Sequence, residues 1–151
     1  MSVSELDSYI IALGRTRDKK GLEPILKKAA MLDGKKSFSN FRAVTLALEA
    51  LADPAGAKAL ADLLKQPGIG GHAMVSTKDI GPAGGYKGIS GDSERSSCLR
   101  EVALARALYR CGDHEGLGEK TLRQYAQDLR GLYALHATEV LKQGNSATVK
   151  R

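Results

Sequence analysis

The sequence predicts an all-α fold in which pairs of helices stack into a right-handed α-α superhelix. Apolar residues recur at helical spacing along most of the 151 residues. The alternation of period two that half-buried strands produce is not evident in the sequence. An Asp-x-x-Gly-apolar motif occurs three times, which is typical of a repeated structural unit.

The repeat is defined by aspartates at positions 18, 53 and 113, so that successive copies are separated by 35 and by 60 residues. Apolar or small residues precede each aspartate by nine, six and five positions. These are Tyr9, Ala12 and Leu13, then Val44, Ala47 and Leu48, then Leu104, Ala107 and Leu108. Each unit is therefore expected to be a helix, a short turn and a second helix. We expect six to eight helices in all, with turns at 14–20, 52–55 and 112–115.

The aspartates are expected to cap the second helix of each unit. A carboxylate at a helix start accepts hydrogen bonds from free backbone N–H groups and favours the positive end of the helix dipole. Asp53 is the best example, because the Pro54 that follows it suits the first helical position. This interpretation gives Asp18, Asp53 and Asp113 a structural role and not a catalytic one.

Stacked helix pairs of this kind are typical of HEAT-like repeats, in which each pair buries its apolar face against the next. A single domain over 1–151 is expected. Its units lie at about 4–33, 38–66 and 94–128, and a closing helix lies at about 129–143. The apolar periodicity continues through this last region, so it is either one helix bent near Gly131 or two helices. The apolar pattern there includes Leu122, Tyr125, Leu129, Leu132, Tyr133 and His136.

Residues 67–93 form a Gly-rich insertion that holds eight of the 17 glycines and two of the four prolines. Ordering such a segment costs about 1–2 kcal/mol of backbone entropy per residue, so we expect it to be mobile or loosely packed. Two interpretations stay open: a functional loop, or an insertion without function. In the functional case, Gly70, Gly71 and His72 would approach the backbone of a partner domain.

The charge balance is 23 basic against 17 acidic residues, a net charge of +6 that is spread over both ends of the chain. This is a mild bias and not the basic stripe of a nucleic-acid-binding protein. Three Lys-Lys pairs, at 19–20, 27–28 and 35–36, are expected on solvated faces.

No apolar run approaches the roughly 20 residues of a membrane span. The acidic start of the chain is not typical of an export signal, which makes a cytoplasmic location the default expectation.

Every catalytic or cofactor motif in the sequence is incomplete. A phosphate-binding loop would need glycine where Tyr86 stands, and a dinucleotide fingerprint would need glycine at Ala73. A zinc-protease helix beginning at His114 would need a second histidine where Gly118 stands. We therefore expect no catalytic residues, no zinc and no FAD site in this chain.

The remaining reactive and aromatic side chains are expected in the core. Cys111 is interpreted as a buried, reduced cysteine, and His136 as a hydrogen-bonded core histidine. Tyr9, Phe41 and Tyr125 occupy core-facing positions, which leaves few aromatic rings to stack on nucleic-acid bases. Five arginines are candidates either for phosphate contacts or for pairing with nearby acids. These are Arg15, Arg17, Arg42, Arg95 and Arg100.

The run from Arg100 to Gly131 resembles the C-terminal helical region of large bacterial FAD-dependent oxidoreductases, some of which are described as xanthan lyases. The stretches Leu13–Asp18 and Phe41–Leu51 fit the same region. The resemblance covers most of the chain apart from the Gly-rich insertion. It implies a C-terminal repeat domain, with FAD held only by a domain upstream, because no residue here matches a flavin motif.

Two functional hypotheses follow from these observations. The first is a non-catalytic interaction or scaffold domain whose partner is a protein, most simply an upstream domain of a parent enzyme. The alternative is a stand-alone helical-repeat protein that binds a ligand or nucleic acid through its basic ends and the Gly-rich insertion. An enzyme is the third possibility, and the incomplete motifs argue against it.

Overall fold

The computed structural model describes residues 3–79 and 91–144 of the chain. Over these residues the protein is all-helical and contains no strand, as the periodicity predicts. Seven α-helices are described, within the expected range. They are α1 (Val3–Arg15), α2 (Leu22–Ala30), α3 (Phe38–Leu51), α4 (Ala55–Leu64), α5 (Gly91–Arg110), α6 (Leu117–Tyr125) and α7 (Gly131–Gln143). Short 3-10 helices lie at Lys19–Gly21, Thr77–Asp79 and His114–Gly116.

The helix boundaries agree with the predicted turns, which lie between α1 and α2, between α3 and α4, and between α5 and α6. The region after the third turn forms two helices, α6 and α7, and not one bent helix. Helix α5 begins at Gly91, inside the predicted insertion, so the third helix pair starts earlier than the sequence pattern indicates.

Asp53 and Asp113 bind the start of the second helix of their units, as predicted, whereas Asp18 caps the 3-10 helix Lys19–Gly21 that precedes α2. Asp18 accepts the Lys20 N–H at 2.9 Å, and Asp53 accepts the Ala55 N–H at 2.9 Å. Asp113 accepts the N–H groups of Gly118 at 2.6 Å and Glu119 at 2.9 Å. These bonds satisfy donors that the helix itself leaves unpaired.

The core runs continuously along the helices. Its largest fully buried side chains include Phe41, Leu48, Leu60, Leu104 and Tyr125. Burial of each side chain of this kind contributes roughly 1.5–3 kcal/mol. Cys98 and Cys111 of α5 are also buried and form no disulfide, so the predicted burial of Cys111 is confirmed.

Helix α1 packs on α3 at very short range, and the contact is made through Gly14. A Cβ atom built on Gly14 would lie 2.4 Å from the Cα of Ala47. Only glycine allows the two backbones to approach this closely. The small residues of the pattern thus set the spacing between the two helices.

The predicted burial of Tyr9 is wrong, although that of Phe41 and Tyr125 is confirmed. Tyr9 is 64% exposed, and Ala12 on the same helix is also exposed. The equivalent positions in α3 and α5 are buried. The reason is that α1 contacts α2 and α3, and no described helix packs against its opposite side.

The expectation that all lysine pairs are solvated is wrong for Lys28. Its ammonium lies 3.6 Å from Oδ1 of Asp7 and 3.5 Å from Oδ1 of Asn40. All three residues are buried. An ion pair shielded in this way links α1, α2 and α3, and removal of one partner would leave an uncompensated buried charge.

The described part of the Gly-rich insertion, residues 67–79, is packed against the protein, which corrects the expectation of a loose segment. Ile69 and Met74 are buried. The Met74 N–H donates to Asp128 at 2.8 Å, and the Leu129 N–H donates to the Met74 carbonyl at 2.8 Å. Buried apolar side chains and paired backbone groups offset the entropic cost of order. Residues 80–90 lie outside the described part.

Candidate functional site

A groove of about 260 Å³ opens between α3, α5 and α7. The three helices meet because α5 contacts both α3 and α7. The groove is lined by Phe38, Arg42, Thr45 and Leu46 of α3, by Leu99, Val102, Ala103 and Arg106 of α5, and by Leu132, Tyr133 and His136 of α7.

Most of the lining is apolar, and part of it is open to solvent. Leu132 is 73% exposed, and Leu135, one helical turn along α7, is 64% exposed. The sequence pattern places Leu129 and Leu132 on the core side, but both are exposed. The core side of α7 is instead formed by Tyr133, Ala137 and Val140. Helix α7 therefore presents a second apolar surface in addition to the one that it buries.

The charged groups at the groove are all basic. Arg106 donates to Glu49 at 2.6 Å, and Arg110 donates to the other oxygen of the same carboxylate at 3.2 Å. Glu49 thus compensates Arg106, whereas the exposed side chain of Arg42 has no hydrogen-bond or ion-pair partner among the described residues. Among the described residues, no aspartate or glutamate lines the groove.

His136 forms part of the groove wall and is not the hydrogen-bonded core histidine that the sequence predicts. Its ring has no hydrogen-bond partner within residues 3–79 and 91–144. Burial lowers the pKa of His136 from its ordinary value, and the charges of Arg106 and Arg110 act in the same direction. The ring is therefore neutral at neutral pH. The sequence interpretation failed because position 136 lies at the edge between the two apolar sides of α7.

Tyr133, which forms one wall of the groove, is held in place by Arg130. The Arg130 guanidinium lies 4.7 Å from the centroid of the Tyr133 ring, a cation–π contact. Arg130 also donates to Asp128 at 2.7 Å, to Glu94, and to the His72 carbonyl at 2.9 Å. Hydrogen bonds to Asp128 raise the pKa of Arg130. These contacts pre-organise one side of the groove, which lowers the entropic cost of binding.

A second, more open recess of about 380 Å³ lies beside the groove and shares Phe38 with it. It is lined by polar and basic residues of the α2–α3 turn and of α5. Its arginine, Arg100, already donates to the carbonyls of Gly34 at 3.1 Å and Gly68 at 3.5 Å, and it lies over the Phe41 ring. Arg100 therefore connects elements of the fold.

The other predicted interaction residues are scattered. Arg15 is the last residue of α1, Arg17 lies in the turn after it, and Arg95 lies on α5; all three are exposed and line neither recess. Of the five arginines, Arg42 alone lines the groove.

The glycine and histidine candidates contact the protein itself. Gly71 and His72 donate their backbone N–H groups to Glu101 at 2.8 and 2.9 Å. A Cβ on Gly70 would lie 3.6 Å from the same carboxylate. Glu101 also accepts the Tyr125 hydroxyl at 2.7 Å, so one buried carboxylate anchors this segment. A role of Gly70, Gly71 and His72 toward a partner stays a prediction.

Sequence reasoning missed Arg106, Tyr133 and Leu132 as groove residues. One signal points to them: α7 carries apolar residues around more than half of its circumference, at 132 and 135 as well as at 133, 137 and 140. A helix with so wide an apolar surface needs more than one packing partner.

The groups that line the groove are suited to binding contacts. The lining offers guanidinium groups, a neutral imidazole and two hydroxyl groups, and the Thr45 hydroxyl is bonded to the Arg42 carbonyl. Over the described ranges, no group of three or more His, Cys, Asp or Glu side chains is arranged to hold a metal ion. Among the helices described, none combines the length and the apolar character of a membrane-spanning segment.

No family model, curated protein or solved structure matches the chain, so the geometry of the groove is the basis of the functional proposal.

Proposed function

We propose that this protein is a non-catalytic interaction domain, built as a HEAT-like stack, that docks a protein partner in the groove between α3, α5 and α7. The observation that carries the proposal is the groove itself. Its floor is apolar, its rim bears Arg42, which has no ion-pair partner among the described residues, and the large side chain of Leu132 stands exposed at its edge. Exposed apolar surface of this kind, rimmed by polar groups, marks interaction sites.

The pattern of helix contacts supports the repeat architecture within this proposal. The first helices of the units contact one another in chain order, α1 with α3 and α3 with α5, and α7 continues the row. The second helices α2 and α4 also contact each other. Two parallel rows of helices with nearest-neighbour contacts are expected for stacked helix pairs with a right-handed curl.

The size of the groove favours a protein partner over a cofactor. Pockets that enclose a drug-sized molecule have volumes of about 300–1,000 Å³. At about 260 Å³, the groove lies below this range and is open on one side. It suits side chains inserted from a partner surface, where a few anchors in well-packed pockets provide most of the affinity.

The partner that we propose is an upstream domain of a larger FAD-dependent oxidoreductase, of which this chain would be the C-terminal domain. The longest stretch that resembles that family, 100–131, forms the second half of α5, all of α6 and the first residue of α7, and the stretches Leu13–Asp18 and Phe41–Leu51 lie at the end of α1 and within α3. In this arrangement FAD belongs to the upstream domain. The complete open reading frame tests this part: a Gly-x-Gly-x-x-Gly fingerprint upstream of Met1 supports it, and an open reading frame that encodes no other domain overturns it.

Docking in the groove is tested by affinity purification from the source organism with tagged wild-type chain and two variants. Leu132→Asp places a charge in the groove, and Met31→Asp makes the same change at an equally exposed position outside it. Because both side chains are mostly exposed, both variants should keep the wild-type circular dichroism spectrum and unfolding midpoint.

A partner identified by mass spectrometry is then purified and titrated into each variant. We expect wild-type affinity with Met31→Asp and loss of binding with Leu132→Asp. A set of bound proteins that is the same for all three chains would overturn docking in the groove.

A further inference from the structure

We propose that the segment docked in the groove is acidic and amphipathic: its apolar side chains fill the groove, and an adjacent carboxylate pairs with Arg42. This inference rests on the proposed function and adds the chemical class of the partner segment. It is argued from the charges at the groove, from its shape and from the surface around it.

The charges at the rim favour a negative partner group. Of the residues that the structure describes, Arg42 and Arg106 are the charged ones that line the groove, and neither an aspartate nor a glutamate does so. Arg106 is paired with Glu49 at 2.6 Å, so its charge is compensated within the protein. Arg42 has no such partner in the described part of the chain. A carboxylate from outside would therefore form its ion pair mainly with Arg42.

The shape of the groove requires apolar residues next to that carboxylate. Phe38, Leu46, Leu99 and Val102 supply the floor, and Leu132 and Leu135 extend the apolar surface along α7. An amphipathic helix laid in such a groove inserts residues at i, i+3 or i+4 and keeps its polar residues at the rim. An acidic residue beside those anchors then faces Arg42.

A second copy of this chain is a poor occupant by the same argument. The chain carries a net charge of +6. Two copies meeting through this groove would bring two copies of Arg42 together without a carboxylate in the lining to separate them. Like charges placed opposite each other in an interface oppose association. The structure therefore favours a partner of opposite charge.

The test is a display library of random peptides of about sixteen residues, long enough for four helical turns, selected on the full chain. Peptides that also bind Leu132→Asp are removed. We expect the remaining peptides to combine apolar residues at helical spacing with aspartate or glutamate. Their affinity should fall about tenfold or more with Arg42→Glu and should be unchanged with Arg15→Glu, the matched charge reversal at an exposed position outside the groove.

Selection on Arg42→Glu supplies the reciprocal experiment. Peptides selected on this variant should carry lysine or arginine in place of the acidic residue. Arg42→Gln replaces Arg42→Glu if the latter shows an altered circular dichroism spectrum, and it should give peptides without a charge preference.

The outcomes separate the two proposals. Peptides that depend on Leu132, show no acidic preference and are indifferent to Arg42→Glu would overturn the acidic segment while leaving the docking groove in place. A selection that yields no peptide dependent on Leu132 would overturn the groove as a docking surface, and with it the proposed function.

Discussion

The three motif aspartates show how one residue type meets the same requirement with different geometry. Asp18 and Asp53 each bind the N–H group two residues ahead. Asp113 reaches over a one-turn 3-10 helix to bind N–H groups five and six residues ahead. Its own φ of 54° lies in the left-handed region, which costs energy for a residue other than glycine. Two hydrogen bonds to the start of α6 offset that cost.

Replacement of these aspartates by alanine should destabilise the protein to different degrees. Asp53→Ala removes one cap and should lower the free energy of unfolding by about 0.5–2 kcal/mol. Asp113→Ala removes two partly buried bonds and should cost more. Urea denaturation measures both, with Asp62→Ala as the control, because Asp62 forms an exposed ion pair with Lys58 that is worth only a few tenths of a kcal/mol. Equal midpoints for Asp62→Ala and Asp113→Ala would contradict the capping role.

His136 should make stability depend on pH. Burial, helped by Arg106 and Arg110, lowers its pKa in the folded protein below the ordinary value of 6.5. Between these two pKa values the unfolded chain binds more protons, so the free energy of unfolding falls as the pH falls below about 6.5. The stability that depends on the neutral His136 ring is fully present above that pH, and it is lost as the pH falls through the pKa of His136 in the folded protein.

The measurement compares urea denaturation of wild type and His136→Gln at about pH 7.5 and about pH 5. Other titrating groups affect both proteins alike. Wild type should lose more stability than His136→Gln over this interval. An equal loss in the two proteins would show that the environment of His136 does not shift its titration.

At the scale of the elements, the glycine that makes the close helix contact lies two residues later in the third helix pair than in the other two. Gly21 and Gly56 of the motif are buried against Leu13 and Leu48 of the preceding helix. The matching Gly116 is exposed, and Gly118 makes the close contact instead, with a Cβ position 2.9 Å from the Ala105 carbonyl oxygen. The third turn also differs in backbone conformation, because Asp113, Glu115 and Gly116 all have positive φ angles and residues 18–21 do not.

Replacement of glycine by alanine should have opposite effects at Gly14, which lies in the close contact between α1 and α3, and at Gly131, which lies outside it. Gly14→Ala places a Cβ 2.4 Å from the Cα of Ala47 and must separate the helices, at a cost of about 1–3 kcal/mol. Gly131→Ala, at the start of α7, meets no atom within 4 Å. It should leave the unfolding midpoint unchanged or raise it slightly. Thermal unfolding of the two variants checks this, and a stable Gly14→Ala protein would contradict the tight packing.

Glu101 should control the order of residues 67–79. Glu101→Ala leaves the Tyr125 hydroxyl and two backbone N–H groups without their acceptor, each at a cost of about 1–3 kcal/mol. Hydrogen exchange at the amides of Gly71 and His72 should then accelerate more than exchange in α3. Glu101→Gln keeps one acceptor oxygen and should give an intermediate effect. Uniform acceleration over all helices would mean that Glu101 stabilises the whole core and does not anchor this segment.

Local patterns predicted the helices because amphipathic periodicity and turn residues act over a few neighbouring positions. The order of residues 67–79 was not predictable in that way. It depends on Glu101 and Asp128, which lie 30 and 54 residues from the backbone groups that they bind. Tyr9 is likewise exposed because no described helix packs on its side of α1. The sequence of α1 alone does not indicate which of its sides will be covered.

At the scale of the whole molecule, the candidate site is assembled from residues that are far apart in sequence. Arg42 was a candidate from the sequence and does line the groove, but its neighbours Arg106 and Leu132 come from α5 and α7. Helical periodicity places a side chain on one side of its own helix. It does not report how three helices meet, and this is why the groove emerged only from the tertiary structure.

The two cysteines provide a measure of how cooperatively the molecule unfolds. Burial raises the pKa of Cys111 to about 12, and burial raises that of Cys98 although Arg130 opposes the shift. Neither thiol should therefore react with Ellman's reagent in the native protein. In increasing urea, both should react with the midpoint seen by circular dichroism.

Cys98→Ala and Cys111→Ala identify which thiol reacts. Cys98 lies 3.7 Å from the His72 carbonyl, so its reaction at lower urea than Cys111 would reveal separate opening of residues 67–79. Coincident midpoints would show that this segment unfolds together with the helices.

The anchoring of residues 67–79 also has a consequence for the time course of folding. Helices α1 to α4 contact one another within the first 64 residues, and such contacts form early because little chain must be closed into a loop. The bonds of Met74 to Asp128 and of Arg130 to the His72 carbonyl close loops of more than fifty residues. On a ribosome, the N-terminal helices are therefore free to pair while residues 67–79 wait for their partners. We therefore expect the segment that interrupts the repeat to close late, together with the contacts between α3 and α5, because it joins the middle of the chain to the later helices.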